Sequence, residues 1–308
     1  MKKILALLMA LISCIALTAC GGASAGKSSG EKTFTYKDQT ITVKAQPQHV
    51  VTLTTPLLNM AYAVGGNSIA KATTKSPIPD AAKDLPELGQ TAHIDMEKLV
   101  GLAPDLVIGE KSQNQKLESL LQSNKLPYIL INYDGINDNV PLMKFLGTVY
   151  GTEDKANAAI DAYEKGVKAA QDEAAKYTPA HIAILRATGK DVTAETPQSI
   201  TASMAAALKM DNVITNHKEL KLSDKTVPYS LEQLSADNPD IIFIVTMGKA
   251  DEINKKLDQE MRENPAWSSL KAVENNKVYF LPYDLFLLNP GVRTPEAMQK
   301  LVDLAYKQ

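Results

Sequence analysis

The apolar positions of the chain alternate between short, nearly continuous runs and longer stretches with helical spacing. The runs are rich in Val, Ile and Leu, which indicates strands that are buried on both faces. The stretches between them have apolar residues three and four positions apart and indicate helices. This alternation predicts an α/β fold whose parallel sheets carry helices on both faces. After a hairpin over Phe34–Val43, the predicted strands are His49–Leu53, Ser68–Thr73, Asp105–Gly109, Tyr128–Asn132, His181–Leu185, Asp240–Val245 and Val278–Leu281.

The longest predicted helix runs from Thr152 to Tyr177, midway along the chain. Thr152 is a suitable N-cap, and the acids of the first turn suit the helix dipole. The helix ends before Pro179, because proline disfavours helical geometry in the residue that precedes it. At about 1.5 Å per residue the rod is about 38 Å long, and we expect it to permit only small hinge motions. Its apolar stripe consists of Ala156, Ala159, Ile160, Tyr163, Val167, Ala170, Ala174 and Tyr177.

One segment of the first half recurs in the second half. IDMEKLVGLAPDLVIG (Ile94–Gly109) and YSLEQLSADNPDIIFI (Tyr229–Ile244) align without a gap. Glu97 matches Glu232, and in each copy a Pro-Asp pair separates a short helix from a buried strand. The repeat predicts two lobes of similar design, one on each side of the long helix.

The amino-terminal residues have the pattern of an export signal. Lys2 and Lys3 precede an apolar run that is too short to span a membrane, and Leu17-Thr18-Ala19-Cys20 resembles a bacterial lipobox. We expect residues 1–19 to be removed and Cys20 to be lipidated, which would anchor the protein to the outer side of the cell membrane. Residues 20–32 then form a Gly/Ser-rich tether. A plain signal peptide with an incidental cysteine is the alternative.

The composition argues against several functional classes. The chain has 308 residues and a net charge of −2 with acids and bases interspersed, which argues against nucleic-acid binding. Cys14 leaves with the signal, so the mature chain offers neither a thiolate metal site nor a catalytic thiol. No G-x-S-x-G elbow, Walker A loop or G-x-G-x-x-G follows a predicted strand, and the four histidines are scattered. The sequence therefore predicts a binding protein and not an enzyme.

The candidate binding residues follow from the predicted topology. Open parallel sheets bind ligands outside the carboxyl ends of their strands, and in two lobes we expect those ends to face each other across a cleft. The candidates are Thr54, Thr55, Thr74, Lys75, His93, Glu110, Lys111 and Tyr133 in the first lobe, and Arg186, Tyr229, Met247 and Tyr283–Phe286 in the second.

Together these features resemble one protein family. The signal, the HVVTLTTPLLNMAYAVG opening, the two Pro-Asp repeats, the long helix and the WSSLKAVENNKVYFLP ending are similar to ABC-importer substrate-binding proteins of the haem, ferric-siderophore and cobalamin cluster. The resemblance implies the class III architecture, with two Rossmann-like lobes at 33–151 and 179–308 bridged by a helix at 152–178. It also implies a monomer that docks on basic residues of a membrane permease dimer through Glu97 and Glu232.

Within that cluster the chain looks closest to the haem receptors of Gram-positive bacteria. Those receptors have a Met after a loop of the first lobe and a His after a strand of the second. The corresponding stretches here are ELGQTAHIDMEKL and PDIIFIVTMGKADE. Ala92 occupies the family's Met position with His93 beside it, and Met247 occupies the family's His position. The resemblance therefore implies an exchanged pair, His93 and Met247, as the axial ligands of a haem iron.

Other cleft residues are expected to contact the ligand. The apolar segment YDLFLL would form a wall against the porphyrin, since exposed apolar patches usually mark binding surfaces, although a buried core helix is the alternative. Besides the axial pair, the predicted ligand contacts are Thr55, Lys75, Arg186, Tyr229 and Phe286.

A ferric siderophore is the alternative ligand. Receptors for anionic catecholate siderophores use several arginines, because a guanidinium matches paired anionic oxygens. Here only Arg186 is predicted to lie well for such a contact, with Lys75, Lys111 and tyrosines as helpers. Cobalamin, which needs an aromatic cleft, and an adhesion or signalling module that reuses the fold are further alternatives.

Overall fold

The computed structural model of the protein describes residues 30–307. The predicted signal peptide, Cys20 and most of the predicted tether lie outside these residues. Within residues 30–307, no helix combines the length and the apolar character that a membrane span requires.

Strands and helices alternate along the chain. The strands are β1 (Lys32–Tyr36), β2 (Gln39–Val43), β3 (Val50–Thr52), β4 (Gly89–Gln90), β5 (His93–Ile94), β6 (Leu106–Glu110), β7 (Tyr128–Ile131), β8 (His181–Ala187), β9 (Val192–Glu195), β10 (Asp211–Asn212), β11 (Thr226–Pro228), β12 (Ile241–Thr246) and β13 (Val278–Leu281). The helices are α1 (Thr55–Ala63), α2 (Met96–Gly101), α3 (Lys111–Asn114), α4 (Glu118–Ser123), α5 (Asn139–Tyr150), α6 (Glu153–Ala174), α7 (Ile200–Ala207), α8 (Leu231–Asp237), α9 (Ala250–Glu263), α10 (Pro265–Ser268), α11 (Lys271–Glu274), α12 (Tyr283–Phe286) and α13 (Thr294–Tyr306).

The first lobe is built on a three-stranded parallel sheet in the order β3-β6-β7. Ile108 faces one core layer and Val107 faces the other, so apolar side chains cover both faces of the sheet. The hairpin β1–β2 closes one side, where the ring of Tyr36 packs edge-on against Phe145 of α5 with centroids 5.5 Å apart.

The predicted strand at Ser68–Thr73 is wrong. This segment runs beside β3, and the amide of Ile69 donates to the carbonyl of Val50 at 2.9 Å. It makes only an isolated bridge, between Lys71 and Glu87, because the chain then leaves the sheet in a long loop.

The second lobe has a larger and mixed sheet, in the order β11-β9-β8-β12-β13 with β10 beside β8. Its strands β8, β10, β12 and β13 are parallel, whereas β9 and β11 run antiparallel to their neighbours. The sequence did not predict β9 and β11, because VTAE and TVP are too short and too polar to signal strands. Helices cover both faces, with Ile184 in one core layer and Leu185 in the other.

The long helix α6 bridges the two lobes, as predicted. Ile160 and Tyr163 in its first half are buried in the core of the first lobe, and Ala170 and Ala174 in its second half are buried in the core of the second. Val167, between them, packs against both cores. One amphipathic stripe therefore fixes both lobes to the same rod.

The amino end of α6 differs from the expectation in one detail. Thr152 occupies the N-cap position, but its hydroxyl makes no capping hydrogen bond. The hydroxyl oxygen is buried and has no partner in the structure. The start of the helix therefore depends on packing rather than on this cap.

The closing helix α13 crosses the bridging helix at its only glycine. A Cβ on Gly166 would lie 2.7 Å from the Cβ of Pro295, closer than side chains approach. Gly166 weakens the isolated helix, but here it allows two helices to pack at close range. The predicted α/β class, with two lobes bridged by one long helix, is confirmed.

Candidate functional site: the cleft between the lobes

A cavity of about 340 Å³ lies between the two lobes at the carboxyl ends of their strands. Both lobes contribute to it, and most of its lining side chains carry hydroxyl or amide groups. The lining residues used below are Thr54, Thr55, Asn59, Thr74, Lys75, Ser76, Gln90, Ala92, Gln113, Tyr283, Asp284, Leu288 and Arg293.

The start of α1 forms the inner wall of the cleft. Thr54 caps this helix by accepting a hydrogen bond from the amide of Leu57, and Pro56 suits the first turn because it needs no partner for its nitrogen. Thr55 therefore lies where the strand β3 gives way to a helix. Such helix starts present unpaired amides, which suit electronegative ligand atoms.

A loop from Thr73 to Ala92 forms a second wall, and a buried lysine holds it. Lys71 is 6% exposed, and its ammonium donates to the carbonyls of Ala82 and Lys83 inside the loop. The amide of Thr73 also donates to the carbonyl of Gly89 at 2.8 Å, which ties the two ends of the loop together. These contacts hold Lys75 at the cleft surface.

The opposite wall comes from the second-lobe segment Tyr283–Arg293. Arg293 donates to Asp284 at 2.7 Å and to Glu296 at 2.7 and 2.8 Å. Tyr283 reaches the first lobe, where its hydroxyl lies 3.5 Å from the hydroxyl of Ser76. The sequence argument missed Arg293, because its place in the cleft depends on how the turn before α13 folds back onto α1. Asp284 stood within the predicted segment Tyr283–Phe286, but its contact with Arg293 was not foreseen.

Below the first-lobe wall lies a buried carboxylate, Glu110, at the end of β6. It accepts hydrogen bonds from Ser112 at 2.6 Å and Gln113 at 3.1 Å. Burial raises the pKa of Glu110, while these two hydrogen bonds act in the opposite direction. Glu110 thus fixes the orientation of Gln113, which lines the cleft.

His93 lies on the two-residue hairpin β4–β5, beside the cleft. It is exposed and pairs directly with Gln90, which lines the cleft. Residues directly opposite in an antiparallel ladder carry their side chains on the same face, so His93 shares the face of Gln90. Its neighbour Ile94 is on the other face and is buried in the core.

Met247 leaves the second sheet at the same edge as the cleft wall. Val245 of β12 pairs with Leu281 of β13, and Met247 and Tyr283 each follow two residues later in the chain. Both are unusually exposed for large apolar residues, at 54% for Met247 and 41% for Tyr283. Each therefore offers exposed side-chain surface after the carboxyl end of a strand of the second sheet.

Arg186 and Tyr229 are held by partners of the second lobe and do not line the cavity. Arg186 donates through Nε and Nη2 to one oxygen of the fully buried Glu195, at 2.9 and 2.7 Å. Tyr229 donates its hydroxyl to Asp237 and lines a separate cavity of the second lobe. The expectation that Arg186 alone among the arginines is well placed is therefore wrong, since Arg293 lines the cleft and Arg186 does not.

Phe286 is not part of the cleft wall. Its side chain is 0% exposed and belongs to the core layer of the second lobe. The YDLFLL segment is partly the buried helix that the alternative interpretation described, because the short α12 turns Leu285 and Phe286 inward. Only Tyr283, Asp284 and Leu288 of this segment face the cleft.

Glu97 and Glu232 occupy equivalent places in the two lobes. Each is the second residue of a short helix, α2 or α8, and each is exposed. Asp95 caps the first helix, and Ser230 with Gln233 forms a capping box on the second. Within the described chain neither glutamate makes a salt bridge, so both present free negative charge to solvent.

Known proteins resemble this chain along its whole length. A family model described as periplasmic binding protein matches residues 50–285. The high-affinity heme uptake system protein IsdE of Staphylococcus aureus is 25% identical, across 100% of this chain and 99% of its own length.

Solved structures share the fold. An ABC transporter substrate-binding protein of Listeria monocytogenes has a TM-score of 0.76 at 22% identity and covers 85% of this chain and 100% of its own. S. aureus IsdE complexed with heme has a TM-score of 0.73 at 24% identity and covers 84% and 98%. S. aureus SirA complexed with staphyloferrin B has a TM-score of 0.71 at 22% identity and covers 90% and 97%.

The resemblance to ABC-importer binding proteins of the haem and siderophore cluster is thereby confirmed. The matched region contains the main sheets of both lobes, the bridging helix and most residues of the cleft, although Arg293 lies beyond it. The chain belongs to the periplasmic binding protein family, the substrate-binding proteins of ABC importers.

Proposed function

We propose that this protein is a lipid-anchored receptor, and not an enzyme, that binds haem in the cleft outside the cell membrane and delivers it to an ABC permease. His93 and Met247 are the proposed axial ligands of the haem iron, with Thr55 and Lys75 as further contacts. The relative IsdE is a heme uptake protein by name, which supports the choice of ligand. Cys20 is the proposed lipidation site.

The choice of haem over a siderophore rests on how little free positive charge the arginines offer. All three arginines of the chain already hold carboxylates: Arg186 holds Glu195, Arg262 holds Asp258, and Arg293 holds Asp284 and Glu296. A tricatecholate siderophore presents several negative charges and needs free guanidinium groups. Haem presents an apolar ring with two propionates, for which Lys75 and the threonine hydroxyls suffice.

The side-chain types of the two proposed iron ligands also suit haem. An imidazole and a thioether are both good axial ligands, and as a pair they give a six-coordinate, low-spin iron. His93 shares a face with Gln90 of the first-lobe wall, and Met247 is exposed just after the carboxyl end of β12. The proposal thus takes one iron ligand from each lobe.

A hemin titration tests the proposal. We expect a sharp Soret band at a one-to-one ratio, and in His93→Ala and Met247→Ala at least about ten-fold weaker binding together with an altered spectrum. His49→Ala is the matched control, because His49 is exposed at the amino end of β3, away from the cleft. Addition of hemin without any spectral change would exclude haem as the ligand. Spectra of both variants that match the wild type would exclude this axial pair.

A ferric siderophore is the second candidate, favoured by the polar lining of the cleft. Thr54, Asn59 and Gln113 offer hydroxyl and amide groups to a chelate, and Lys75 offers an ammonium group that makes no salt bridge within residues 30–307. Quenching of tyrosine emission by ferric chelates, with no response to hemin, would select this alternative.

A further inference from the structure

A second cavity lies entirely within the second lobe, between α8 and α9. It has a volume of about 470 Å³, larger than the cleft cavity. Leu234, Leu257 and Trp267 form its floor and are buried. Leu231 and Ile253 form its sides and are partly exposed. We call this feature the α8–α9 groove.

The groove is continuous with the surface that carries Glu232. Leu231 lines the groove, and Glu232 is the next residue of the same helix. The helix α8 therefore contributes to both features, because Leu231 lines the groove and Glu232 is exposed to solvent. Any partner that pairs with Glu232 comes within reach of the groove.

The first lobe shows a related combination beside Glu97. Val100 lies one turn after Glu97 on α2 and is 37% exposed, and Leu120 on the neighbouring α4 is 45% exposed. The helices α2 and α4 pack in one core layer of the first lobe, as α8 and α9 do in the second. Each lobe thus presents exposed apolar surface next to its unpaired glutamate.

The rim of the groove indicates a protein as the occupant. Lys190, Asp191, Lys256 and Glu260 surround the apolar floor with charges of both signs. An apolar centre within a polar rim is the arrangement of protein interfaces, and an unpaired acid beside it favours a basic partner. Because the rim carries charges of both signs, it does not favour a small molecule whose charge is of one sign.

We propose that the α8–α9 groove receives an apolar side chain of the membrane permease, next to the basic residue that pairs with Glu232. This inference rests on the proposed docking role of Glu232. The acids give the complex its orientation and association rate, whereas a buried apolar anchor supplies affinity. Docking then depends on the groove as well as on the acids.

The test compares two exposed lysines of α9. Lys256 lines the groove, and its neighbour Lys255 does not, so Lys256→Trp covers the groove while Lys255→Trp makes the same chemical change elsewhere. Binding of the ligand-free, full-length receptor to its importer in proteoliposomes is measured, so the result does not depend on haem. We expect Lys256→Trp to weaken docking by about five-fold or more and Lys255→Trp to leave it unchanged.

Three further measurements serve as controls. Hemin binding and the thermal midpoint should be the same in both variants, and Glu232→Gln should weaken docking. Docking of Lys256→Trp at wild-type strength would overturn the groove proposal, while loss in Glu232→Gln alone would leave the acid's role intact. Weaker docking of both tryptophan variants to the same extent would also overturn the groove proposal. A hemin affinity that changes in Lys256→Trp would also overturn it, because the groove would then belong to the ligand site.

Discussion

At the level of single residues, His217 organises a polar cluster behind the α8–α9 groove. Its Nε2 lies 2.6 Å from Asp237 and its Nδ1 lies 2.7 Å from Glu219. Asp237 also accepts the hydroxyl of Tyr229, which lines the groove. The hydrogen bonds with Asp237 and then Glu219 raise the pKa of His217.

This cluster predicts a pH dependence of stability. A raised folded-state pKa contributes stability below the unfolded pKa of about 6.5 and loses it as the pH rises through the folded value. We therefore expect His217→Gln to lower the free energy of unfolding more at about pH 6 than at about pH 9, by up to about 1 kcal/mol. Denaturant unfolding at both pH values measures this. A deficit that is constant, or that grows with pH, would contradict the assignment.

The residues that the sequence locates well are those fixed by topology. Thr55 and Lys75 line the cleft because they follow parallel strands, and that rule needs no knowledge of side-chain contacts. Arg186 also follows from the rule, but its guanidinium is captured by Glu195 on a strand that the pattern did not reveal. The rule gives positions, whereas the direction of a side chain depends on its buried partners. The binding roles of these residues stay predictions.

At the level of elements, the contact between α5 and α6 is unusually close. A Cβ on Gly147 would lie 2.5 Å from the Cβ of Ala156, so only one of the two positions has room for a methyl group. Gly147 in the middle of α5 is therefore required by packing, although glycine weakens a helix.

A methyl exchange tests this packing. Gly147→Ala should lower the free energy of unfolding by about 1–2 kcal/mol, because overpacking outweighs the better helix propensity of alanine. The double variant Gly147→Ala/Ala156→Gly moves the methyl across the contact and keeps the composition, so it should recover most of the loss. Unfolding in urea measures both variants. A double variant less stable than the single one would refute the steric explanation.

Most long elements are evident from apolar periodicity, and the exceptions have a physical reason. β13 agrees with its predicted limits, Val278–Leu281, since it has a clear apolar pattern between turn residues. β9 and β11 were missed, because strands of three or four residues gain their stability from pairing and not from their own composition. The lobe limits 33–151 and 179–308 stay predictions.

At the level of the whole molecule, one buried amide joins the lobes. Asn139 donates to the hydroxyls of Tyr163 on the bridging helix and Thr294 on the closing helix, both at 2.9 Å, and accepts from Tyr133 at 3.2 Å. All four residues are buried. The network connects the first lobe, the bridging helix and the second lobe through a single side chain.

Removal of this amide should weaken the whole protein. Asn139→Ala leaves the buried hydroxyl of Tyr133 without a partner. The hydroxyls of Tyr163 and Thr294 each lose one bond but keep a bond to a backbone carbonyl. One orphaned hydroxyl together with three lost hydrogen bonds leads us to expect a loss of about 2 kcal/mol in the free energy of unfolding. Asn137→Ala, at an exposed position in the same turn, should change stability by less than about 0.5 kcal/mol. Thermal and urea unfolding measure both. Equal stability of the two variants would show that the network does not hold the lobes together.

The position of α13 has a consequence for how substitutions at the lobe junction combine. Thr294, which bonds Asn139, and Pro295, which packs on Gly166 of α6, are adjacent residues in the first turn of this one helix. A change that shifts α13 therefore disturbs the buried amide and the close helix crossing together. Substitutions at the two contacts are accordingly expected to be non-additive in the free energy of unfolding.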